Sequence, residues 1–255
     1  MTKTRKILFA VIALAVVAAL IVSGTVLGKY LTKDSDENSV SSPKFYFQSD
    51  YLKPSSASAS YTVAGSSVSI ALKNFVDSNH YSSQNIAYTV TVTNGTASSA
   101  SGTITGGATN VSNVTVTPTN ASSPVVVTAT STSPYSSSIT ASFTFTTDIS
   151  QTGASYLIED SVNSDYATLK ILAGTTIISA GTLTLSWSTS DVYLDPTNPY
   201  LVGNAGLSTG TLVIQQAIAP NSTAVIHIFK DDITDNFSHS ESAISSNTIT
   251  ISAAS

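Results

Sequence analysis

Ile86-Ala87-Tyr88-Thr89-Val90-Thr91-Val92 sets Ile86, Tyr88, Val90 and Val92 on one side of an extended chain and Ala87, Thr89 and Thr91 on the other. Strict alternation of this kind is the period of a strand with one buried face, and β-branched and aromatic residues favour the pleated backbone. Residues 67–72 repeat the pattern with Val68, Ile70 and Leu72, and 111–116, 124–129 and 139–145 read the same way. Turn-forming pairs such as Asn94-Gly95 and Gly106-Gly107 separate them, as Gly and Asn do where the backbone must reverse. Further strands are predicted at 155–158, 166–172, 182–188, 207–215, 224–230 and 248–252. No segment after Lys29 keeps a helical period for more than two turns. Short strands with a turn about every ten residues predict an all-β chain: two tandem antiparallel immunoglobulin-like β-sandwich domains after an N-terminal apolar helix.

Charge divides the chain where periodicity does not. Residues 78–147 contain no Asp, Glu, Lys or Arg, and carboxylates return at Asp148, Glu159, Asp160 and Asp165. A boundary at 147–153 gives domains at 44–148 and 149–255, each the size of an immunoglobulin-like module. Only 10% of the 255 residues are charged, 81 are Ser or Thr, and cysteine is absent. That composition excludes a disulfide framework, a thiolate zinc site and a cysteine nucleophile. From Lys29 onward seven lysines stand against fifteen carboxylates. No basic groove for phosphate can be assembled from them, which excludes nucleic acid as a partner.

Lys3, Arg5 and Lys6 precede sixteen apolar residues, Ile7 to Val22, followed by small residues to Gly28. A basic start and a long apolar run are the marks of an export segment. Counted over 7–28, its 22 residues would make a helix of about 33 Å, long enough to cross a bilayer. Residues 1–28 are therefore a signal peptide, cut after Gly24 or Gly28, or a transmembrane anchor in contact with the membrane through 7–28. Either way the positive charge stays inside and the rest of the chain is outside the cytoplasm. Residues 29–43 read as a polar linker. A processed pilin helix is disfavoured, because the cut-site residue and the early glutamate are missing. No sorting motif follows the last strand, so covalent attachment to a wall is not expected.

Catalytic and metal signals are sparse. There is no Gly-x-Ser-x-Gly elbow. His227 sits in a strand pattern and reads as a half-buried structural residue, while His80 and His239 read as solvated loop residues. No enzyme is expected. Residues 34–38 begin like a calcium loop but lack its glycine and its final glutamate. Asp231, Asp232 and Asp235 gather after a strand, and calcium bridging between loops is the one cofactor chemistry such a trio would serve. No other cofactor is indicated. Lys73 falls opposite the apolar face of its strand, which argues against a buried lysine that forms an amide bond. Six Asn-x-Ser/Thr triplets begin at Asn94, Asn110, Asn113, Asn120, Asn221 and Asn236, about the number that this composition supplies by chance. Trp187 alternates with Leu183 and Leu185 and reads as core, whereas Tyr135, Tyr193 and Tyr200 fall in loops where a sugar platform would lie.

Together, the export segment ending in residues 24–28, the linker, and the stretches 44–52, 70–77, 86–92, 92–96, 100–103 and 228–231 resemble a group of exported two-domain surface proteins of Gram-positive anaerobes. The layout is similar to that of TasA and camelysin-type matrix proteins, and that resemblance implies an extracellular matrix or biofilm setting and subunits that form fibres. The lysine-rich composition of TasA is absent here, as is a zinc protease motif. Self-association has one physical route: residues 44–52 have strand propensity and follow a flexible linker, so they either pair within their own domain or complete the sheet of a second copy. The resulting expectation is a non-catalytic extracellular surface protein, structural or adhesive. Its alternative is a carbohydrate-binding module for cell-wall or host glycans.

Overall fold

The computed structural model describes residues 44–253 apart from 58, 162 and 204. The apolar segment at 7–28, its cut sites after Gly24 and Gly28, the linker at 29–43 and the 34–38 loop lie outside the described residues. Among the described residues, no helix is long and apolar enough to cross a membrane.

The chain is all-β, and alternation becomes burial residue by residue. In Ile86–Thr93, Ile86, Tyr88 and Val90 are buried while Thr89 and Thr91 face solvent. A four-stranded sheet runs in the order Gln48–Ser49, Val68–Lys73, Val111–Pro118, Gly95–Ala97. Opposite it a seven-stranded sheet is built on Ser137–Thr146, Val125–Ser133 and Ile86–Thr93. Val68, Ile70, Leu72, Val114 and Val116 from the first meet Tyr88, Val127, Ile139 and Phe143 from the second in one apolar core. A five-stranded sheet follows, in the order Val192–Leu194, Thr223–Lys230, Tyr166–Leu172, Ser155–Glu159, His239–Glu241. It packs on a three-stranded sheet of Thr211–Val213, Thr184–Trp187 and Thr248–Ile251, with Leu169, Ile171 and Ile226 meeting Leu185, Leu212 and Ile249. These two cores divide near the change in charge at 147–153.

Some turn signals do a different job from the one their sequence suggests. Asn94-Gly95 is not a hairpin: Asn94 has φ 61°, and Gly95–Ala97 belongs to the opposite sheet, so this is the corner where the chain changes layer. The Asn94 amide donates to the Pro124 carbonyl at 3.0 Å and holds that corner. The strand expected at 207–215 is shorter, a 3-10 turn at Ala205–Ser208 followed by Thr211–Val213. Gly210, with φ 75°, breaks the run. Residues 44–52 close their own domain: Gln48 and Ser49 pair with Lys73 and Leu72, and Phe47, Tyr51 and Leu52 are buried.

The expected antiparallel pattern has three parallel exceptions. Ser60–Ala64 runs parallel to Ser137–Thr146 on one side and to Thr176–Ile178 on the other, and Thr184–Trp187 runs parallel to Thr248–Ile251. The pairing of Ser60–Ala64 with Thr176–Ile178 joins the halves of the chain. Because successive side chains point to opposite faces, Val63 and Ile177 enter the first core while Ala64 and Ile178 enter the second. The pair is a wall that both cores share. Just beyond it Gly65 turns the chain with φ 140°, where a Cβ would stand 2.6 Å from Ser179 Cβ and 2.9 Å from Thr182 Oγ1.

Two outcomes are expected. Gly65→Ala combines a disallowed φ with a steric clash, and should cost roughly 3 kcal/mol in denaturant unfolding; a cost below ~1 kcal/mol would show that the wall yields locally. Residues 43–255, which form one compact unit, should unfold in a single calorimetric transition. Two separable transitions would mean that the shared wall does not couple the cores.

Candidate functional site

The outer face of the five-stranded sheet carries large apolar side chains where hydroxyls would be expected. Registers place Tyr166 opposite Phe229 and Phe229 opposite Tyr193. All three therefore project from the same face on adjacent strands, and they are 47%, 44% and 57% exposed. With strands about 4.8 Å apart, the row is about 10 Å long across the sheet. One step along the strands lies a second row, polar. His227 is opposite Thr168, and Thr168 opposite Glu159, while the backbone N–H of Asp195 donates to the His227 carbonyl at 3.5 Å.

The polar row is held in place by its neighbours. The Thr197 hydroxyl donates to Asp195 Oδ1 at 2.7 Å and the Thr197 backbone N–H at 2.8 Å. These bonds hold the Asp195 carboxyl below its ordinary range, with a smaller contribution from the His227 charge. His227 meets the Tyr166 ring edge-on, centroids 5.3 Å apart. Glu159 pairs with Lys170 at 2.7 Å. Flat aromatic faces beside a line of donors and acceptors can stack on a polyhydroxylated ring and also hydrogen-bond to its rim.

The aromatic row ends at the edge strand Val192–Leu194, and a groove begins there. Its volume is about 510 Å³, and its walls are mostly apolar: Trp187, Tyr193, Leu194, Pro196 and Leu207, with the hydroxyl residues Thr189 and Ser208. Trp187 is only 7% exposed. It belongs to the core, as its alternation predicts, and it also forms part of the groove wall. Tyr193 is common to the row and the groove.

Of the three tyrosines that sequence reading proposed as a platform, the structure brings only Tyr193 to this face. Tyr200 packs against the second core. Tyr135 meets Phe45 edge-on in the first half, with ring centroids 5.4 Å apart. His227 is not half-buried: the inward positions of its strand are Ala224, Ile226 and Ile228, which leaves it exposed on the outer face. His80 and His239 lie on short strands rather than in loops, bonded to Asp77 at 2.8 Å and Glu241 at 3.1 Å. Sequence reading missed Tyr166 and Phe229. The signal for Phe229 is the second face of 224–230, where Val225 and Phe229 put apolar residues at outward positions too; Tyr166 stands at the outward start of 166–172.

Asp231, Asp232 and Asp235 do not converge: among the described residues no group of three or more His, Asp or Glu is placed to hold a metal ion. The loop wraps a cation of another kind. Lys230 Nζ donates to the carbonyls of Asp235 (2.8 Å), Ile233 (3.2 Å) and Ser161 (3.3 Å), and to Asp160 Oδ1 at 3.2 Å. Asp160 Oδ2 also accepts from the Phe237 N–H at 2.8 Å. Both charged side chains are fully buried. The Asp232 carboxylate accepts instead from the Thr234 N–H at 2.8 Å and the Thr234 hydroxyl at 2.7 Å.

No family model and no curated protein matches the chain. Among solved structures it is similar to the D0-D1 domain of intimin, at 17% identity over 82% of this chain and 94% of that one, with a TM-score of 0.28. The CupB2 chaperone of Pseudomonas aeruginosa matches at 9% identity over 72% and 96%, with a TM-score of 0.25. A Bacteroides ovatus protein provisionally described as carbohydrate-binding matches at 11% identity over 69% and 63%, with a TM-score of 0.26. At such scores these likenesses carry no argument about function, and the all-β assignment rests on the strands themselves.

Lys230→Met would leave Asp160 charged, buried and without its cation. The expected cost is about 3–5 kcal/mol in denaturant unfolding. A loss below ~1 kcal/mol would show that water reaches the pair.

Proposed function

We propose that this chain is a non-catalytic adhesive protein of the extracellular surface, and that the outer face of its five-stranded sheet holds a saccharide. The observation that carries this reading is the Tyr193, Phe229, Tyr166 row beside the Asp195, His227, Thr168 row. The outer face of the first half presents mainly hydroxyls to water, with Thr128 bonded to Thr140 at 3.0 Å and Thr130 to Ser138 at 2.8 Å beside the exposed Val126. Three exposed rings in register are an unpartnered apolar strip of the kind that marks an interaction site. Extracellular placement follows from the basic and apolar pattern at 1–28. Asp195 and Glu159 on the polar row disfavour polyanions, so the reading selects neutral glycans.

A structural role through self-association is the second reading, since the same strip would serve as a contact between copies. Retention on insoluble chitin, cellulose and yeast glucan, paired with sedimentation over a range of protein concentrations, separates the two. The saccharide reading expects retention on at least one polysaccharide, weakened roughly tenfold by Tyr166→Ala or Phe229→Ala, which is ~1.4 kcal/mol. Tyr135→Ala, beside Phe45 in the first half, should leave it unchanged. No retention, with oligomers that those same two substitutions disperse, would assign the strip to self-association.

A further inference from the structure

We propose that the groove beside the edge strand Val192–Leu194 is a subsite for the N-acetyl group of a neutral hexosamine polymer. The proposal rests on the saccharide reading of the adjoining aromatic row and goes further by naming the sugar class.

The chemistry of the walls selects the substituent. Among the described residues no charged side chain lines the groove, so a carboxylate, phosphate or ammonium entering it would lose its hydration without gaining a counter-charge. A sugar bearing only hydroxyls meets the same difficulty in weaker form. Each hydroxyl pressed against Trp187, Leu194, Pro196 or Leu207 gives up water for an apolar wall. An acetamido group suits this surface. Its methyl matches the apolar walls, and its N–H and C=O are one donor and one acceptor for the Thr189 and Ser208 hydroxyls, each of which can donate or accept.

Position and charge agree with this. Tyr193 lines the groove and also ends the aromatic row, so a sugar ring stacked at that end holds its substituent over the groove mouth. Around the edge strand, Asp191 accepts from the Ser190 hydroxyl at 2.8 Å, and Asp195 is kept ionised by Thr197. These carboxylates repel anionic sugars from this end of the site, while the apolar walls of the groove disfavour an ammonium. A volume of about 510 Å³ falls within the ordinary range for small-molecule sites, and exceeds what a single acetamide fills, which leaves space for part of the ring.

Trp187 is the only tryptophan in the chain, so its emission reports on the groove directly. The full chain is titrated with chitotetraose and with cellotetraose, which share a β-1,4 backbone and differ in the acetamido group, by calorimetry and by Trp187 fluorescence. The expected result is roughly tenfold tighter binding of chitotetraose, with a change in Trp187 emission. Ser208→Phe, at an exposed position, fills the groove and should erase that preference, so that the two tetrasaccharides bind the variant equally. Phe229→Ala should weaken both ligands. Equal affinities that Phe229→Ala still weakens would overturn the subsite and leave the saccharide reading standing. A preference that survives Ser208→Phe, or chitotetraose binding that leaves Trp187 unmoved, would also overturn the subsite. Failure to bind either tetrasaccharide would overturn the subsite, and the saccharide reading falls with it where chitin, cellulose and yeast glucan also fail to retain the chain.

Discussion

The parallel pairing of Ser60–Ala64 with Thr176–Ile178 is the constraint on which the rest of the structure depends. A strand of three residues contributes little on its own. This one is buried along its whole length because it lies between two cores and supplies both, Ile177 to one and Ile178 to the other. Its neighbour does likewise through Val63 and Ala64. A defect in this wall therefore opens two hydrophobic cores instead of one. The backbone beyond it is equally determined: Ser179 N–H donates to the Ala64 carbonyl at 2.9 Å, and the Ser179 hydroxyl to the Ser67 carbonyl at 2.7 Å.

The second half is organised around a different element, an ammonium held at the end of a strand. Lys230 closes Thr223–Lys230 on the inner face, where the preceding inward positions are apolar. Three carbonyls and a carboxylate replace its water, and they come from two loops, Asp160 and Ser161 after Ser155–Glu159 and Ile233 and Asp235 after Thr223–Lys230. An ion pair so enclosed contributes more to loop geometry than to net stability. It fixes the 231–237 loop beyond the end of the strand that carries Phe229. The aromatic row thus stands on a sheet whose core is apolar and whose rim is ionic.

Alternation made the long strands legible. Tyr166–Leu172 begins and ends where period-two reading places it, and Trp187 is in the core as its neighbours Leu183 and Leu185 imply. The three-residue strand Thr176–Ile178 was not legible, because it is buried on both faces and has no period to read. The candidate site was half legible for a related reason. Tyr193 could be singled out as an aromatic near a loop, but its alignment with Phe229 and Tyr166 is a matter of register between strands far apart in sequence. Periodicity within a segment says which side a residue takes, not which residue of another strand stands beside it. Lys230 shows the same limit: its partner Asp160 is 70 residues away, and nothing local distinguishes it from a solvated strand end.

The stretch 78–147, which holds no Asp, Glu, Lys or Arg, has a consequence for resistance to proteolysis. Endopeptidases that grip a basic or acidic side chain find none across this stretch, and between Lys73 and Lys170 there is no Lys or Arg. The peptide bonds that less selective enzymes would attack are held in the ladders of Ile86–Thr93, Val111–Pro118, Val125–Ser133 and Ser137–Thr146. Corners such as Asn94-Gly95 are tied to neighbouring strands by side-chain amides. Residues 78–147 thus offer a poor substrate to endopeptidases of either kind, because the charged side chains are missing and the backbone is held in ladders.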